Sequence, residues 1–271
     1  MELEKANTGI HKVLWSLKNN VLFLQQPKTG TTSLRAYFKD RSPVGRKYNH
    51  KWCHYGLREL ARGIEDEDYD MFIERMGKPP LEFNLYAFYR DPIERYISAA
   101  CYARDQYRLS SDSIPNSDPD MWSNAQNNFR YLLDDESFDV LNMSNDDFLC
   151  ALLKVYSFDD MPITPEIWHE KRAGLEGARG PNFAMWEFFS PQYLWYVDDR
   201  VNLLPFHDYK NSFNYMCDLL ELPRTKHIEN RNRSLRRLKD EGISEETREQ
   251  LKLFYKQDYE YFASKGISFD K

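Results

Sequence analysis

The chain has 271 residues, 41% hydrophobic and 30% charged, enough for one large domain or two small ones with a sizeable core. A net charge of −6 argues against a general nucleic-acid binder, which normally carries a positive surplus. Apolar runs stay short of the roughly 20 residues that span a bilayer. The opening MELEKANTGIHKVLW has no signal-peptide core, so the expected setting is cytoplasmic, with no membrane partner.

In chain order, VLFLQ (21–25) reads as a buried strand, followed by the turn Pro27-Lys28-Thr29-Gly30-Thr31-Thr32-Ser33 and the helix-forming LRAYFKD. CHYGLRELARG (53–63) reads as a short helix. FNLYAFY (83–89) is a second strand, ending at Arg90-Asp91-Pro92, where proline suits the first turn of a helix running through IERYISAACYARDQY. A polar loop is expected over 109–120, with helical patches near 121–134 and 145–156. Residues 160–190, punctuated by Pro162, Pro165, Gly174, Gly177, Gly180 and Pro181, read as an irregular insertion. VNLLPF (201–206) is a third strand. A helix follows over 208–221, with apolar positions at Phe213, Met216, Leu219 and Leu220, then a basic loop over 223–243 and a last helix over 244–264. Strands alternating with helices predict an α/β domain with a mainly parallel sheet. Cys53, Cys101, Cys150 and Cys217 form no CxxC pair and read as reduced thiols, mostly in the core.

A glycine-bearing loop between strand and helix gathers backbone N–H groups at the positive end of the helix, a ready anion site. Gly30 permits close approach. Thr31, Thr32 and Ser33 offer hydroxyls, and Lys28 a full charge. The order is not that of a Walker A loop, where lysine follows the second glycine. Here Lys28 precedes Gly30, and the next strand ends in Arg90 rather than in a carboxylate. Taken alone, the loop is also compatible with a plain strand-turn-helix whose hydroxyls are incidental.

Two segments together carry a resemblance. Pro27–Ser33 resembles the 5′-phosphosulfate loop of sulfotransferases that use 3′-phosphoadenosine 5′-phosphosulfate (PAPS). Tyr89-Arg90-Asp91-Pro92-Ile93-Glu94-Arg95-Tyr96-Ile97-Ser98 resembles that family's 3′-phosphate motif, with Arg90 and Ser98 in the gripping positions. The branch favoured is the carbohydrate type. The resemblance covers roughly residues 21 to 265 and implies a single domain over 1–271. It would be a P-loop-like three-layer α/β fold whose central, mainly parallel sheet is flanked by helices, with irregular insertions near 109–120 and 160–190.

The resemblance further implies that Lys28, Thr29, Gly30, Thr31, Thr32, Ser33, Arg90 and Ser98 bind PAPS and its product 3′-phosphoadenosine 5′-phosphate (PAP), without a metal. Lys226–Ser234 resembles the family's late nucleotide loop, so Arg231, Asn232, Arg233 and Ser234 join the set. Which arginine points inward stays open. Cys53-His54-Tyr55-Gly56-Leu57-Arg58-Glu59-Leu60 resembles the segment bearing the general base, a role histidine suits near neutral pH. His54 is the first choice and His50 the second. Lys28 joins the catalytic set by stabilising the leaving phosphate.

The implied activity is transfer of a sulfuryl group to a hydroxyl of a glycan or small organic acceptor. The alternatives are a P-loop-type nucleotide or small-molecule kinase using Mg-ATP, and a non-catalytic PAP-binding relative. Neither the acceptor nor the oligomeric state is readable from the sequence.

Overall fold

The computed structural model describes residues 14–30, 33–34, 37, 73, 77–111, 142–156, 188–196, 199–226, 228 and 242–269. The expected helices over 53–63 and 121–134 lie outside them. The described elements are α/β in composition, with four strands and five helices: β1 (Leu14–Ser16), β2 (Val21–Leu24), β3 (Asn84–Tyr89), α1 (Pro92–Ser111), α2 (Asn145–Tyr156), β4 (Asn202–Pro205), α3 (Tyr209–Leu219), α4 (Glu245–Phe254) and α5 (Lys256–Ser264). The backbone divides into two compact units. One comprises 1–90 and 192–233, the other 91–191 and 234–271.

The first unit holds a four-stranded sheet in the order β1-β2-β3-β4. The expected parallel arrangement holds for β2, β3 and β4, with Leu24 opposite Ala87 and Tyr89 opposite Pro205. The sheet as a whole is mixed, because β1 joins the edge antiparallel, with Leu14 opposite Phe23. All four residues of β2 are buried, as are Leu85, Ala87, Phe88 and Tyr89 of β3. Both faces of these strands are therefore covered, which is why they read as unbroken apolar runs rather than alternating ones. On one face Val21, Phe23 and Phe88 pack with Leu34 and with Phe213, Met216 and Cys217 of α3. Phe23 meets Phe88 edge to face at 5.0 Å, and Phe88 meets Tyr209 at 5.2 Å. Burying each such ring contributes about 2–3 kcal/mol.

In the second unit Asp91 caps α1: its carboxylate accepts the Glu94 N–H at 2.8 Å, and Pro92 fills the first helical position. The helix continues to Ser111, into the stretch expected to be loop. Tyr96 donates to the Leu149 carbonyl at 2.9 Å, and Tyr255 to the Phe189 carbonyl at 2.8 Å. The long C-terminal helix expected over 244–264 is two helices that break at Tyr255, where φ is −93° and ψ 18°. Cys101 and Cys217 are buried free thiols and Cys150 a half-buried one; Cys53 lies outside the described residues.

Ser244 caps α4 by accepting the Thr247 N–H at 3.1 Å. Ser244→Ala is expected to cost about 1 kcal/mol. Urea unfolding followed by helical circular dichroism checks this; an unchanged midpoint would show that the cap carries no stability. No helix among the described residues is long and apolar enough to cross a membrane.

Candidate functional site

Parallel strands of an α/β sheet present their carboxyl ends to one edge, and ligands of such sheets bind outside that edge. Here β2 runs out into Gln25-Gln26-Pro27-Lys28-Thr29-Gly30, β3 into Arg90, and β4 into Phe206 and His207. All three segments belong to the first unit.

The loop after β2 is tightly built. Gln25 and Gln26 are buried, an unusual place for glutamine. The Thr29 hydroxyl is fully buried and donates to the Gln26 carbonyl at 2.9 Å, closing the turn from within. Thr29 therefore braces the loop with its side chain. Lys28 sits at φ 66°, in the left-handed region that non-glycine residues rarely adopt. Such strain tends to collect where a backbone is held for binding.

Gly30 has φ 83° and lies close to the rings of Tyr209 and Phe206. Tyr209 donates its hydroxyl to the Gly30 carbonyl at 2.6 Å. A Cβ at Gly30 would lie 2.6 Å from the Tyr209 ring and 2.8 Å from the Phe206 ring. Glycine is thus required by the ring packing beneath the loop as well as by its dihedral angle. Burial pushes the Tyr209 hydroxyl well above the usual tyrosine pKa, opposed by hydrogen bonds with the Leu34 backbone and the Ser33 side chain, so it stays a proton donor. Ser33 and Leu34 are helical, and the Leu34 N–H reaches back to the Gly30 carbonyl at 3.4 Å.

Arg90 follows β3 directly. Its guanidinium lies 4.8 Å from the centre of the Phe206 ring, a cation–π arrangement, and the Phe206 N–H donates to the Tyr89 carbonyl at 2.8 Å. The fully buried Gln192 grips the Arg90 backbone at both ends. Its carboxamide oxygen accepts the Arg90 N–H at 3.1 Å, and its NH₂ donates to the Arg90 carbonyl at 2.7 Å. Burial raises the pKa of neighbouring Tyr89, whose ring meets the exposed His207 at 6.3 Å.

The structure thus places Lys28, Thr29 and Gly30 on the loop after β2, Ser33 in the helical residues beyond it, and Arg90 directly after the neighbouring strand β3. Ser98 lies half-buried on α1, in the second unit. Thr31, Thr32, His50, His54, Arg231, Asn232, Arg233 and Ser234 lie outside the described residues. Gln192, Tyr209 and Phe206 carried no signal in the sequence, since each acts on backbone or rings distant along the chain. Among the described residues no three His, Cys, Asp or Glu side chains gather as a metal site would require. No family model matches the chain, and neither a curated protein nor a solved structure matches it.

Proposed function

We propose that this chain is a PAPS-dependent sulfotransferase acting on a hydroxyl of a glycan or small organic acceptor, on a P-loop-like three-layer fold. One observation carries the reading beyond the sequence motifs. The glycine-bearing loop and Arg90 leave the same edge of the sheet, from adjacent, hydrogen-bonded, parallel strands of one unit. Lys28 and Arg90 bring two cations to that edge, a donor set suited to a nucleotide with phosphates at both ends. Burial of both faces of β2 and β3 supports the three-layer arrangement.

On this reading Lys28 and the loop amides hold the charge that builds on the leaving 5′-phosphate, and Arg90 holds the 3′-phosphate. The bond from sulfur to the bridging phosphate oxygen breaks as the acceptor oxygen bonds to sulfur in line. His54, or else His50, takes the acceptor proton. The roles of His54, His50, Thr31, Thr32, Ser98 and Arg231–Ser234 rest on the resemblance alone.

A ligand that binds only the folded state raises its melting temperature. PAP at one hundred times its dissociation constant is expected to add about 2.7 kcal/mol, or about 5–10 °C. Mg-ATP is expected to give little shift. A shift with Mg-ATP and none with PAP would return the loop to the kinase class.

A further inference from the structure

Beyond Leu24, β2 leaves the sheet, and the side of β3 that it had covered opens. In a strand, successive residues offer their N–H and C=O to opposite neighbours. The Tyr89 carbonyl faces β4, where it accepts from Phe206. The N–H and C=O of Arg90 therefore face the side that β2 has vacated. Gln192 takes up both of them, standing in for one residue of strand. Four residues on, the buried Tyr196 donates to the Phe88 carbonyl at 2.7 Å and meets the Gln26 side chain. Residues 192–196 thus close the gap between β3 and the departing loop.

We propose that Gln192 is the positioning residue for Arg90, setting the angle at which the guanidinium leaves the sheet and so the preference for a nucleotide bearing a 3′-phosphate. The inference rests on the donor reading above. Phe206 supports the guanidinium from the ring side, while Gln192 grips the backbone on the side where β2 is missing.

Calorimetric titration of the full chain with PAP and with 5′-AMP tests this, because a residue that merely stabilises the fold leaves the ratio of the two affinities unchanged. The wild type is expected to prefer PAP by at least about tenfold, since a hydrogen bond to a charged group is worth that much. Gln192→Met is expected to lose about tenfold of that preference. Ser212→Ala removes a different buried hydrogen bond of the same unit, to the Pro205 carbonyl, and is expected to keep the preference. Should Gln192→Met not fold, Gln192→Glu keeps the acceptor for the Arg90 N–H and loses the donor to its carbonyl. It is expected to lose about threefold. A folded Gln192 variant with the full preference overturns the positioning role. A wild type with no preference for PAP overturns the donor reading and this inference with it, and that result is read before any variant is made.

Discussion

Gly30→Ala is expected to lower stability by about 2–4 kcal/mol, more than other substitutions of a glycine with positive φ in the same unit. Two terms add. Placing a side chain at φ 83° costs about 1 kcal/mol. Forcing a methyl group to within 2.6 Å of the Tyr209 ring adds about 1–3 kcal/mol, because that ring already packs against Phe88, Phe206 and Phe213. Gly77 separates the terms. It has φ 78°, and a Cβ there would meet only the Leu17 side chain at an ordinary 3.5 Å. Gly77→Ala is expected to cost about 1 kcal/mol. Urea unfolding of both variants makes the comparison. Equal costs would mean that the rings do not confine the loop, and that position 30 needs glycine for its dihedral angle alone.

Gly30 also shows the limit of sequence reasoning. A glycine between strand and helix reads as room for a phosphate, and what the structure describes there is the approach of side chains. The approaching groups are Tyr209 and Phe206, some 180 residues along the chain, and local sequence carries no trace of them.

The same division runs through the fold. Strands β2 and β3 were readable because burial on both faces makes their apolar runs continuous; β4, exposed at Asn202 and half-buried over Leu203–Pro205, was readable from its short apolar run alone. Strand β1 was not, since three residues, LWS, are too few for any periodicity, and the strand exists through backbone pairing with Val21–Phe23. The helix break at Tyr255 follows no glycine or proline. It coincides with a tyrosine whose hydroxyl is held by the Phe189 carbonyl and whose ring packs on Tyr96 and Phe254, contacts that tertiary structure alone supplies. Gln192 is the clearest case at the candidate site. Its partners are the backbone groups of a residue 102 positions earlier, and no property of a glutamine in SPQYLW points to them.

Arg90→Ala is expected to weaken PAP binding by about a hundredfold while leaving 5′-AMP within about twofold. The residue contributes differently in the free and bound states. Without ligand, Arg90 stacks on Phe206, a contact worth about 0.5–1 kcal/mol. With ligand, the planar guanidinium offers parallel donors that match a phosphate. Arg90→Lys keeps the charge but replaces the fork with a point donor on a flexible stem, so it should recover only part of the loss. Calorimetric titration of the three proteins with PAP and 5′-AMP reads this directly. A parallel fall in both affinities would place Arg90 on the phosphate common to the two nucleotides. An unchanged PAP affinity would remove Arg90 from the donor site, and with it the main structural support for a sulfotransferase.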